Sequence, residues 1–291
     1  MTQQTFADRV SAAIADMRPA EQRVVRFFLD NREATLFESA VSLAEKAGTS
    51  DATVIRAVKS LGFSGMEEMR RSLADEMRAN PSPFNRMERT LNDVGDDLIS
   101  ALDMTIDIHL KALERLRSDV SAENFQSAVH SIVAAKRVTI FGIGPSSAMA
   151  DYFSMQLKRF GVEATSITQT GILLADQLLD LRQGDLMMIF AYGRIYPELA
   201  SILDQSARRG VSTVLFSDTL GAILRDQVDL VLPVQRGRTD MLSMHTTTLG
   251  LIEALLVGVA KSQPEKTMTS LKSLNELRSQ VVGKPMDLPA S

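Results

Sequence analysis

The sequence predicts an all-α N-terminal domain followed by a C-terminal α/β three-layer sandwich built on a parallel sheet. Two observations predict it. Up to about residue 78, short helical stretches alternate with turn signals. From residue 137 on, short apolar runs alternate with helical stretches. Parallel strands joined by crossover helices are the natural solution for that alternation. Between the two patterns, Arg78-Ala79-Asn80-Pro81-Ser82-Pro83 reads as a linker, because proline disfavours helix at the residue before it.

The bulk numbers fit this and exclude several chemistries. The chain has 291 residues, enough for one or two domains, with 45% apolar and 23% charged residues. Its net charge is −4, so contact with nucleic acid must come from a local patch. There is no cysteine, which excludes disulfides, thiolate metal sites and cysteine nucleophiles. His109, His130 and His245 are far apart and lack H-x-x-x-H spacing, so no metal site is expected. The N-terminal MTQQTFADRV has no basic stretch leading into an apolar one, so no signal peptide is expected. The longest apolar segment, Leu249 to Ala260, has 12 residues and contains Glu253, too short for a membrane span. The expectation is a cytoplasmic protein.

The elements follow in order. Residues 1–78 form the first domain and 79–134 a linker with connecting helices. In the latter, Leu98, Leu102, Thr105, Ile106, His109, Leu110 and Leu113 recur at helical spacing. Residues 135–262 form the α/β domain, with strands at Val138–Phe141, Ala164–Ile167, Leu186–Ala191, Thr213–Phe216 and Leu230–Val234. An apolar helix over about 240–261 closes it, and a 263–291 tail carries one weak helix before Pro285 and Pro289.

Within the first domain, residues 42 to 62 read SLAEKAGTSDATVIRAVKSLG. Ser42 and Glu45 have capping-box spacing, Gly48 sits at a sharp turn, and Ser50 can cap the next helix. On that helix Val54, Val58 and Leu61 share one face. Thr53, Arg56, Lys59 and Ser60 are read on the other, and Gly62 ends the helix. This spacing matches a DNA-reading helix-turn-helix, with Ser50, Thr53, Arg56 and Lys59 as candidate DNA contacts. It also fits two packed helices with solvated charges, and residues 1–78 carry no net basic charge.

The stretch Arg18-Pro19-Ala20-Glu21 and then LAEKAGTSDATVIRAVKSLGFSG resembles the N-terminal domain of the RpiR family of bacterial transcriptional regulators. Ser50, Ala52, Thr53, Val54, Arg56, Leu61, Gly62, Phe63 and Gly65 carry the likeness. Ala57 departs from it, standing where the family commonly has an aromatic residue; position 57 is read as flanking the core.

In the second domain, VTIFGIGPSSAM ends a strand at Gly142-Ile143-Gly144 and opens a helix at Pro145-Ser146-Ser147. Free N–H groups and two hydroxyls there suit an anion. A dinucleotide fold would want a third glycine where Ser147 stands, so no cofactor is expected. A turn that merely needs glycine also fits. The stretch resembles the sugar isomerase (SIS) domain, the usual C-terminal partner in the RpiR family. Gly142, Gly144, Ser146, Ala150, Leu157, Arg159 and Gly161 fit. That resemblance implies a second, hydroxyl-rich loop close to "S.SG.T.E". Here it reads AYGRIYPE, with Ala191, Gly193 and Tyr196 in the hydroxyl positions. Either the site has decayed, or Arg194 supplies the anion grip, with Tyr192 or Tyr196 covering the ligand. Gly142, Gly144, Ser146, Ser147, Tyr192, Arg194 and Ser243 are the candidate ligand residues. His245 is read as a helix-face residue at a subunit contact rather than a catalytic base.

The two resemblances imply a regulator, not an enzyme. It would bind double-stranded operator DNA and a small anionic carbohydrate-derived effector, as a homodimer or homotetramer. The alternatives are a sugar-phosphate isomerase with an accessory N-terminal domain, and a DNA-binding dimer whose sensor site is inactive.

Overall fold

The computed structural model describes residues 6–79, 83–218, 220–238 and 241–283. They form two compact units, one made of the chain up to Thr90 and the other of nearly all that follows.

The first unit is helical: α1 (Phe6–Ala13), α2 (Pro19–Asp30), α3 (Arg32–Phe37), α4 (Ala40–Lys46), α5 (Asp51–Ser60) and α6 (Met66–Ala79). A further helix, α7, spans Pro83–Val94. Phe6, Val24, Phe28, Leu43, Val54, Val58, Met69 and Leu73 fill the core of this unit. The α2 start follows from sequence: Pro19 occupies the first turn, and the Glu21 carboxylate accepts the Arg18 N–H at 3.3 Å. The start of α4 corrects the capping-box reading. Its cap is Ser39, whose Oγ accepts the Ser42 N–H at 3.2 Å, while the Ser42 hydroxyl donates to Glu38. Ala57 is fully buried, so it stands in the core rather than beside it. The linker reading is also corrected: α6 runs through Arg78 to Ala79, and Asn80, Pro81 and Ser82 lie outside the described residues.

The second unit opens with two helices, α8 (Leu98–Asp119) and α9 (Ala122–Ala134). Then strands and helices alternate: β1 (Val138–Phe141), α10 (Pro145–Arg159), β2 (Ala164–Ile167), α11 (Ile172–Leu178), β3 (Leu186–Phe190) and α12 (Pro197–Arg209). They continue as β4 (Ser212–Ser217), α13 (Leu220–Ile223), β5 (Leu230–Pro233), α14 (Thr246–Ser262) and α15 (Pro264–Val282). All five expected strands are present, in one parallel sheet of order β2-β1-β3-β4-β5. Strands β1 and β3 are buried on both faces, and β4 after its first residue, as crossover helices on each side require, while the edge strands β2 and β5 are partly exposed. Val138, Ile140, Met188, Phe190 and Phe216 pack against α9, α10 and α14. Phe141, Met187, Ile189 and Leu215 pack with α11 and α12 side chains on the opposite face.

The closing helix α14 begins at Thr246, later than the sequence pattern suggests; Thr239 and Asp240 lie outside the described residues, as do Pro285 and Pro289. No helix among the described residues is long and apolar enough to cross a membrane.

Candidate functional sites

In the first unit, α4 and α5 meet across a turn at Gly48, whose φ of +63° favours glycine. Ser50 caps α5, with Oγ accepting the Thr53 N–H at 3.3 Å. Val54, Val58 and Leu61 face inward as the spacing predicts. The outward face carries Arg56 and Lys59, both exposed. Thr53 does not share it. It is 6% exposed, and its hydroxyl lies 2.9 Å from Ser50 Oγ and accepts from Arg56 Nη2 at 3.0 Å. Its place on the outer face is therefore corrected; it shapes the start of the helix and steadies Arg56. Arg56 also reaches 3.9 Å from the Glu21 carboxylate, which ties α5 to the first turn of α2. Sequence reading passed over Ala52 and Ile55, which join Arg56 and Lys59 on the exposed face. Small apolar side chains there suit thymine methyl groups in a major groove.

The second unit gathers loops at the carboxyl ends of its strands, where open α/β sheets hold ligands. Gly142 leaves β1 so close to the next turn that an added Cβ would lie 2.4 Å from the Ser146 carbonyl oxygen. Gly144 caps α10 with φ of +57°. Ser147 is half-buried and its hydroxyl donates to the Gly144 carbonyl at 2.7 Å, whereas Ser146 is buried. These glycines thus have a structural reason for their identity apart from any ligand.

The β3–α12 loop splits in two. Tyr192 turns inward: it is 8% exposed, and its hydroxyl lies 2.9 Å from Thr248 Oγ1 on α14. Burial pushes its phenol well above the usual range, so it stays protonated. Arg194 and Tyr196 point to solvent. The Gly193 N–H donates to Asp218 Oδ1 at 3.2 Å, joining this loop to the end of β4.

Behind Tyr192 stands a residue that the sequence reading missed. The Arg236 guanidinium, on the chain leaving β5, lies 4.2 Å from the centre of the Tyr192 ring and 3.6 Å from Asp218 Oδ2. The His245 ring meets the same tyrosine edge-on, with centres 5.9 Å apart. Burial, then the nearby Arg236 charge, holds His245 down to about 4, so it is neutral at pH 7. His245 is thus the residue before α14, packed against this cluster. Ser243 is half-buried on the same β5–α14 connection. Among the seven candidate ligand residues, the structure brings Tyr192 into this cluster and leaves Arg194 outside it. The missed signal was position: Asp218 and Arg236 are polar residues just past the carboxyl ends of β4 and β5.

This architecture is a helix-turn-helix unit joined in one chain to a SIS-type α/β unit. Residues 5–80 match the helix-turn-helix domain of the rpiR family, and residues 131–258 match the SIS domain. The chain thus carries the rpiR-family type of helix-turn-helix domain followed by a SIS domain. The bifunctional protein glk of Burkholderia orbicola is 28% identical over 84% of this chain, which spans only 38% of that relative's length. An uncharacterized HTH-type transcriptional regulator of Caldanaerobacter subterraneus is 19% identical, over 90% of this chain and 92% of its own. Among solved structures, the sugar isomerase domain of an RpiR transcription factor from Sphaerobacter thermophilus is 25% identical, with TM-score 0.54. It covers 58% of this chain and 94% of its own. The Vibrio vulnificus NanR protein complexed with ManNAc-6P shares the fold at TM-score 0.58 and 19% identity, over 95% of this chain and 99% of its own.

Proposed function

We propose that this protein is a DNA-binding transcriptional regulator whose SIS domain senses a small anionic carbohydrate metabolite. The observation that carries it is the occurrence in one chain of α5, whose exposed face carries Arg56 and Lys59, and a charged cluster at the strand ends of a SIS domain. Arg56 and Lys59 of α5 contact operator DNA, Arg56 at a base edge and Lys59 at a phosphate. Ser50 serves the same surface through the helix start. The effector sits at the strand ends, among the loops holding Ser147, Arg194 and Ser243. That NanR, on a similar fold, is complexed with ManNAc-6P supports the class of ligand. The working form is a homo-oligomer in the cytoplasm, so that two reading helices address a two-fold site.

The test begins by selecting a binding sequence from random duplex DNA with the full-length protein. Affinity for that sequence should fall by about 0.9 log unit per log unit of salt for each phosphate neutralised. Arg56→Ala should cost about 1–3 kcal/mol and relax preference at one base position. Unchanged affinity and preference in that variant would remove α5 as the reading helix. Turnover of a sugar phosphate by protein that binds no DNA would favour the isomerase alternative instead.

A further inference from the structure

The effector site contains two arginines of different character, and their settings differ enough to assign them different work. Arg194 is exposed near the tip of the β3–α12 loop. Arg236 is held. Its side chain is 16% exposed, and its guanidinium packs over the Tyr192 ring at 4.2 Å. That ring is itself fixed by the Thr248 hydroxyl at 2.9 Å and by the edge of His245. Its own backbone is pinned too, because the Arg236 carbonyl accepts the Met244 N–H at 3.1 Å. A guanidinium ordered before binding loses little conformational entropy when a ligand arrives.

Its hydrogen-bonding capacity is not used up. The nearest Asp218 oxygen is 3.6 Å away, longer than the roughly 2.7–2.9 Å of a formed charge-assisted hydrogen bond. Arg236 Nε is buried and has no hydrogen-bond partner among the described residues. Asp218 is meanwhile anchored by the Gly193 N–H. The pair is therefore a cation beside a carboxylate that balances its charge without occupying its planar fork.

Charge decides what fits. Among the described residues, the cluster pairs one cation, Arg236, with one anion, Asp218; His245 adds no charge at neutral pH. A ligand carboxylate that takes the fork, with Asp218 staying on the Gly193 N–H, adds a single negative charge. A phosphate dianion brings two toward the same aspartate, and the hydroxyls that the SIS resemblance implies for the neighbouring loop are Ala191, Gly193 and Tyr196 here.

We propose that Arg236, stacked on Tyr192 and charge-balanced by Asp218, is the anion anchor of the effector site, and that it takes the carboxylate of a sugar acid rather than a phosphate. This rests on the reading of the strand ends as the effector site, and the experiment separates the two. Full-length protein is titrated calorimetrically and by thermal shift with D-gluconate, D-galactonate and D-glucuronate. A second series uses D-glucose 6-phosphate, N-acetylmannosamine 6-phosphate and inorganic phosphate.

A carboxylate should bind where the matching phosphate does not. Arg236→Gln should weaken that carboxylate by about a hundredfold, the size expected when a charged hydrogen-bonding partner is lost. Arg194→Ala should weaken it less. Asp218→Asn, which removes the neighbouring negative charge, should tighten it. That variant keeps the proposal testable if Arg236→Gln fails to fold. A phosphate that binds with equal affinity to Arg236→Gln and wild type overturns the anchor while leaving the site in place. A carboxylate that Asp218→Asn binds more weakly also overturns it. Silence from both series overturns the site reading and the anchor with it.

Discussion

His245 shows how a single side chain turns burial into a measurable pH dependence. Its imidazole lies against Tyr192 and near Arg236, and burial first, then the arginine charge, lowers it from 6.5 to about 4. The unfolded chain then binds a proton that the folded chain refuses, between roughly pH 6.5 and 4. Stability therefore rises with pH across that window, is lost as the pH falls through it, and is unaffected by this group above it. Urea midpoints measured from pH 7.5 to 4 should drop more steeply for wild type than for His245→Gln. Parallel curves would mean that the imidazole titrates as it does in water. None of this could be read from the sequence. His245 stands among threonines and methionines, and its environment is made by Tyr192, from the distant β3–α12 loop, and by Arg236, earlier on its own β5–α14 connection. Gly48 and Ser50 were legible because turns and caps are local: their cause lies within four residues. The misplacement of Thr53 has the same logic in reverse. The helical wheel puts it near the outer face, but the cap it shares with Ser50 draws its hydroxyl inward.

Helix α8 shows what periodicity can and cannot say at the scale of an element. The spacing of Leu98, Leu102, Ile106, Leu110 and Leu113 predicts a helix, and a helix is there. The spacing would also put these residues inside, whereas they are 38–86% exposed and the face turned inward is Ile108 and Ala112. An apolar stripe of this length on the surface is a place where another chain fits. A second copy of the chain is the occupant that the proposed operator symmetry needs. Ile106→Glu combined with Leu110→Glu should reduce the mass in light scattering to that of one 31.9 kDa chain. Far-ultraviolet circular dichroism should be unchanged. A doubly substituted protein that keeps the wild-type mass would show that subunits meet elsewhere. The strands were read more securely, because a run buried on both faces, such as LMMIF, has no choice of face to misjudge.

At the scale of the whole molecule, the two-part organisation was legible because helical and alternating patterns occupy separate stretches of chain. How the two parts act on each other was not, since coupling is a property of free energies and leaves no mark in a residue pattern. It can still be tested without knowing any path. If the effector alters operator affinity by some factor, the operator must alter effector affinity by the same factor, because both describe one thermodynamic cycle. Allosteric coupling free energies are typically about 1–3 kcal/mol, or roughly 5–150-fold. The measurement is a pair of titrations on one preparation: selected DNA with saturating effector and without, then effector with saturating DNA and without. Equal factors well away from one would establish a sensor, and the sign would say whether the effector releases the DNA or holds it. Unequal factors would mean that a third equilibrium, most directly assembly through α8, is linked to one ligand and must be entered in the cycle. If both factors are one, the SIS unit binds its ligand without consequence for the DNA. The protein would then be a DNA-binding assembly whose sensor site does not signal.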